Sequence, residues 1–150
     1  MSSGTSLSFM FLVELNWLAI LVAWIVAFIA GAIWFGPKTF FPTWWKAMGR
    51  DANDMNVGGN PLVLFGSTAI AALVQAVAVA SVIHFYAAAD PSFGPLAGLL
   101  TGLSLGVGFA AATSLSHRLF SGQNFKVWII EVASDTVNLA LMGLIIGSWR

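Results

Sequence analysis

Residues 62–87 read LVLFGSTAIAALVQAVAVASVIHFYA, a run without Asp, Glu, Lys or Arg. About 20 predominantly apolar residues suffice for a helix to cross the hydrocarbon of a bilayer. Inside lipid only helices and closed barrels satisfy their own backbone. The run is long and continuous and has no two-residue alternation, which excludes a strand of an outer-membrane barrel. Working outward, residues 11–35, 93–116 and 125–148 form three more runs of the same kind. Breakers fall between them: Gly36-Pro37, Gly58-Gly59-Asn60-Pro61, Asp90-Pro91 and Ser121-Gly122. The expected architecture is all-α, a single integral membrane domain of four transmembrane helices with short turns and a longer first loop.

Composition agrees. The chain is 59% hydrophobic and 8% charged, with mean hydropathy +0.89, whereas about 25% of a soluble domain is charged. So few charges cannot build a water-facing surface. A formal net charge of zero gives no footprint for nucleic acid. The absence of cysteine removes disulfides, thiolate metal sites and thiol redox chemistry. Met1–Phe9 holds no Lys or Arg, and the apolar stretch after it exceeds the roughly 7 to 15 residues of a signal-peptide core. The first helix is therefore expected to stay.

Orientation follows from the basic residues. Lys38, Lys46 and Arg50 fall in the first loop, Arg118 and Lys126 around the third, and only Arg150 on the other side. This places loops 1 and 3 in the cytoplasm and both termini outside. Trp128 and Trp149 stand about 31 Å apart along a helix, matching the hydrocarbon thickness, and Trp17 and Trp34 bracket the first span likewise. Phe40, Phe41, Trp44 and Trp45, with Lys38, Lys46 and a helix-starting Pro42, suit a short segment lying in the headgroup layer. An anchoring elbow is the plainer reading of that loop, and a docking surface the other.

Small residues recur at four-residue spacing. The third run carries Gly94, Gly98, Gly102, Gly106, Ala110 and Ser114, and the fourth Gly143 and Gly147. The first carries Ala19, Ala23, Ala27 and Gly31, and the second Thr68, Ala72, Ala76 and Ala80. Such residues let helix backbones approach closely in lipid, within one subunit or between subunits, and a homo-oligomer is expected.

Glu131, Ser134, Asp135 and Asn138 share one face of the fourth helix, with Asp135 about 10 Å deeper than Trp128. A carboxylate at that depth is costly unless paired or hydrated. It therefore marks a proton or cation site, or else a structural contact to His117 or Arg118 at the end of the third helix. On the outer side Glu14, Asn16 and His84 form a second polar cluster, which Gln75, Thr101 and Ser104 would have to connect to the first. His84 and His117 sit at opposite ends of their helices and cannot share a haem. Asp51, Asn53, Asp54 and Asn56 lack the closing Glu of a calcium loop. No metal site, phosphate loop or catalytic constellation is read from the chain, and no cofactor is implied.

Several segments resemble one known family: Asn16-Trp17-Leu18-Ala19, Gly31-Ala32-Ile33-Trp34-Phe35-Gly36-Pro37 and Trp45-Lys46-Ala47-Met48-Gly49. Gly108-Phe109, Leu119-Phe120-Ser121-Gly122 and Leu141-Met142-Gly143 extend the match. Together they are similar to the uncharacterised bacterial membrane-protein family known as domain-of-unknown-function family 1761. The resemblance implies a small four-helix inner-membrane protein without assigned activity. Its pattern often has a histidine where this chain has Asp135, so chemistry resting on that histidine does not carry over. Two functional classes remain: a homo-oligomeric proton or cation site centred on Glu131 and Asp135, and a non-catalytic accessory subunit of a larger membrane complex.

Overall fold

Asn16 decides where the first span begins. Its side-chain oxygen accepts a hydrogen bond from the Ala19 backbone N–H at 3.0 Å, the standard way of capping a helix start. The computed structural model describes residues 10–149, so Met1–Phe9 and Arg150, used above for the leader and for orientation, lie outside it. In place of one helix over 11–35 there are two, α1 (Phe11–Glu14) and α2 (Trp17–Trp34), with Leu15 extended between them. A short α3 (Phe41–Ala47) lies in the first loop. Asn60 then caps α4 (Pro61–Ala89) through the Leu62 N–H. The third span starts at Pro95 rather than at residue 93, because Gly94 is extended and proline suits a first helical turn. It consists of α5 (Pro95–Leu105), a π-helical turn over Gly106–Ala111, and α6 (Ala112–Phe120). Asn124 caps α7 (Phe125–Ser148) through the Lys126 N–H. Four helices are long and apolar enough to cross a membrane: Trp17–Trp34, Pro61–Ala89, Pro95–Phe120 and Phe125–Ser148.

The fourth span, α7, is the centre of the bundle. It packs against α2, α4 and both halves of the third span, and 44% of its apolar window is buried against 11% for α4. Ala19, Ala23 and Ala27 of α2 meet Ala76, Val79, Ala80 and Ile83 of α4 and Leu139, Met142 and Ile146 of α7. Alanine at these positions keeps the axes close. Trp24 fastens α2 to α4, its indole N–H donating to the Ala69 carbonyl at 2.8 Å.

The glycine stripe is buried inside the chain. A Cβ on Gly98 would collide with the Gly143 carbonyl, and one on Gly102 with the Leu139 carbonyl. On Gly106 it would stand 2.7 Å from the Thr136 Cα. From the other side, a Cβ on Gly143 would collide with the Gly98 carbonyl, and one on Gly147 would lie 3.0 Å from both Gly98 Cα and the Gly94 carbonyl. Of the stripe, Gly94 precedes the helix as its cap. The close approach joins α5 to α7 and leaves these glycines no surface for a neighbour.

The polar residues expected to link the two ends do not line up. The Thr101 hydroxyl donates to the Ala97 carbonyl of its own helix at 2.8 Å, while Gln75 and Ser104 are exposed on the outside of the bundle. The interior between the ends is the apolar cluster of Ala19, Ala23, Ala76, Ala80 and Met142.

Candidate functional site

The loop after α2 is folded back by Thr39, whose hydroxyl contacts the Ile33 carbonyl and donates to those of Trp34 at 2.8 Å and Gly36 at 3.1 Å. Rings then stack from one segment to the next: Phe40 on Trp34 at 4.4 Å between centroids, Phe41 on Trp45 at 5.2 Å, and Trp44 edge-on to Phe35 at 5.3 Å. Trp45 is only 2% exposed. Its N–H donates to the carbonyls of Asp51 and Asp54, and the Arg50 guanidinium lies 4.9 Å over its ring. This segment is an aromatic cap packed on the bundle's end, so Trp45 is not the headgroup anchor the sequence suggested.

The cap delivers Trp44 to Glu131. The Trp44 N–H donates to Glu131 Oε1 at 3.0 Å, and Arg118 Nε pairs with Glu131 Oε2 at 2.7 Å. Arg118 Nη1 also donates to Gln123 Oε1 at 3.2 Å. Both Glu131 oxygens thus have partners, from α3 and α6. Charge-assisted bonds of this kind are the stronger ones. Trp44→Phe keeps the ring and removes the donor, with an expected loss of about 1.5 kcal/mol, the low end for a bond to a charged acceptor. Denaturant titration in detergent reads this directly, and an unchanged midpoint would mean the bond contributes nothing.

One turn deeper, Asp135 is exposed to a cleft of about 240 Å³ lined by Phe35, Ser114, Arg118, Glu131, Val132 and Asp135 itself. Among the described residues its carboxylate has neither a hydrogen bond nor an ion pair. Ser134, expected beside it, is buried at the opposite edge of that helical face. Asn138 is turned to α2, its Nδ2 3.4 Å from where a Gly31 Cβ would lie. His117 is exposed at the end of α6 and makes no ion pair among the described residues. The cation beside the acids is Arg118, and it is paired with Glu131 rather than Asp135.

Two neighbours of the site were not read from the sequence as such. Trp128 turns inward, its N–H directed at Ser114 Oγ at 3.2 Å and the Ala111 carbonyl at 3.3 Å. Trp34 donates across the bundle to the Ile130 carbonyl at 3.1 Å. Both had stood as membrane-interface markers, and both connect helices here. The one available signal was Ser114, the end of the small-residue series.

At the other end of the bundle, Glu14 Oε2 is 3.5 Å from His84 Nε2, with the Phe11 and Phe85 rings around the imidazole. Asn16 makes a separate contact, donating to the Trp149 carbonyl at 2.8 Å and so tying the start of α2 to the end of α7. The expected three-residue cluster is therefore two contacts. Among the described residues no group of three or more His, Asp or Glu could hold a metal ion.

Electrostatically, Arg118 and Glu131 cancel, and Asp135 leaves one formal negative charge in the cleft. A family model described as "Protein of unknown function (DUF1761)" matches residues 18–147, from the start of α2 almost to the end of α7. No curated protein and no solved structure matches the chain.

Proposed function

Because the chain belongs to the DUF1761 family of proteins of unknown function, we propose its function from the site alone: a small homo-oligomeric protein of the bacterial inner membrane that binds a proton or monovalent cation at Asp135. The carrying observation is the Asp135 carboxylate, which lies within a membrane-long helix, opens to a cleft and has no partner there among the described residues. A charge at such depth costs upwards of about 2.5 kcal/mol when nothing neutralises it, which favours occupancy by a cation. Glu131, fixed by Arg118 and Trp44, forms the cytoplasmic mouth of the site, and Ser114 lines the cleft beside it, while His117, Ser134 and Asn138 do not line it. Lys38, Lys46, Arg50, Arg118 and Lys126 all belong to the end with loops 1 and 3, so that end faces the cytoplasm and both termini face outward. No covalent chemistry and no cofactor enter this reading.

Asp135→Asn is expected to abolish proton or cation flux into vesicles reconstituted with the protein, while leaving its assembly unchanged. Equal flux in a folded mutant rules the reading out. The second reading is a non-catalytic accessory subunit of a larger membrane complex, favoured by the exposed outer face of α4. Wild-type vesicles without flux, together with stoichiometric recovery of another membrane protein from the native membrane, would establish it instead.

A further inference from the structure

Gln75 lies at the midpoint of α4, about 21 Å from either end, and is exposed. The serine and threonine hydroxyls of α4 are satisfied by their own helix: Ser67 bonds the Val63 carbonyl, Thr68 that of Leu64 at 2.8 Å, and Ser81 that of Val77 at 2.8 Å. The Gln75 carboxamide forms no hydrogen bond among the described residues. Its side chain is far too short to reach the headgroups, and hydrocarbon offers neither donor nor acceptor. Lipid is therefore the wrong neighbour for this face.

The surroundings of Gln75 identify a better one. Thr68, Ala71, Gln75, Ala78 and Val82 are all exposed, and their alternating spacing of three and four is that of a coiled-coil seam. The residues flanking Gln75 on this seam are alanines, which permit close approach. The other exposed flank of α4 carries bulky Val63, Ile70 and Val74, each more than 60% exposed, as a lipid-facing surface does. A carboxamide is both donor and acceptor, so two copies related by a two-fold axis satisfy each other without a third group. The glycines that join α5 to α7 are already buried within the chain, and of the small-residue series still exposed, Ser104, Gly108, Ala112 and Ser116 on the third span carry no carboxamide whereas this one does.

We propose that a second copy of the chain packs along the Thr68–Ala71–Gln75–Ala78–Val82 face of α4, with the two Gln75 carboxamides hydrogen-bonded across the interface. This rests on the homo-oligomeric part of the proposed function and is independent of the Asp135 site. One polar residue in such a seam also fixes its register.

The chain contains no cysteine, so single cysteines report pairing without background. Full-length Ala71→Cys and Ala78→Cys, oxidised in the native membrane, are expected to give at least about ten-fold more disulfide-linked dimer than Ile70→Cys or Val74→Cys. Adding Gln75→Leu to Ala71→Cys should cut that yield about five-fold, and Gln75→Asn, which keeps the carboxamide, should retain most of it. Equal yields at all four positions, or a yield indifferent to Gln75→Leu, overturn the interface. Native mass measurement of the wild type separates the two ideas. A 15.9 kDa particle removes the homo-oligomer itself, whereas a multimer without linkage at 71 and 78 removes only this interface. A disulfide adduct with another protein overturns the second copy as occupant.

Discussion

Gly102→Leu is expected to leave no stably folded protein. Even a methyl group at this position would collide with the Leu139 carbonyl and lie 2.8 Å from the Ala140 Cα. The obstacle is backbone in the middle of α7, which cannot rotate aside as a side chain would. Relief requires α5 and α7 to separate, and separation opens the neighbouring contacts of Gly98 with Gly143 and of Gly106 with Thr136. Overpacking costs about 1–3 kcal/mol where side chains can adjust. Here the upper end is a minimum, against a typical total stability of about 5–15 kcal/mol. Denaturant or thermal unfolding in detergent measures it. Gly66→Leu on α4, where nothing lies within 4 Å of the added Cβ, should stay within about 0.5 kcal/mol of wild type. An unchanged midpoint for Gly102→Leu would show that α5 and α7 do not pack through this stripe. Because the glycine is internal, loss of the variant from a complex would report misfolding rather than a missing partner.

Arg118→Leu is expected to cost about 3 kcal/mol, and Arg118→Leu combined with Glu131→Leu to cost less than either single change. Glu131 is 16% exposed, at the start of a membrane-long helix, and without Arg118 its charge keeps only the Trp44 N–H. Stranding one partner of a buried pair costs about 3–5 kcal/mol. The low end applies because Arg118 is itself 39% exposed. Replacing both partners removes the stranded charge, and a double-mutant cycle isolates the coupling. Additive single effects would mean that the 2.7 Å contact carries no energy of its own. The same variants separate stability from transport: Arg118→Leu destabilises through Glu131, whereas Asp135→Asn should leave the unfolding midpoint close to wild type.

The four spans were legible because length and apolar content are local properties, and so was the four-residue recurrence of glycine. Rotation of each helix about its axis is not local, and most of the site depends on it. Ser134 and Asp135 are adjacent in sequence, yet one is buried and the other open to the cleft. Trp44 and Glu131 are 87 residues apart, and no periodicity announces their contact. His117 and Arg118 were equally placed to meet the acids until the rotation of α6 selected Arg118. Other differences had local cues. Asn16 ahead of an apolar run is a cap signal, and reading it so would have divided the first helix correctly. The tryptophans misled because an indole suits a membrane interface and an interhelical hydrogen bond equally well.

The π turn of the third span has a consequence for that rotation. A repeat of four residues overshoots a 3.6-residue turn by about 40° at each step. From Gly98 to Arg118 a plain α-helix would accumulate about 200°, enough to carry Arg118 to the side facing away from α7. The segment Gly106–Ala111 takes more residues to complete its turn, and one absorbed residue returns about 100° of that overshoot midway. The drift from Gly98 thereby falls to about 60° at Ser114 and about 100° at Arg118, within reach of Trp128 and Glu131 on the same neighbour. The pairing of Arg118 with Glu131 is thus timed by a stretch of backbone two turns away.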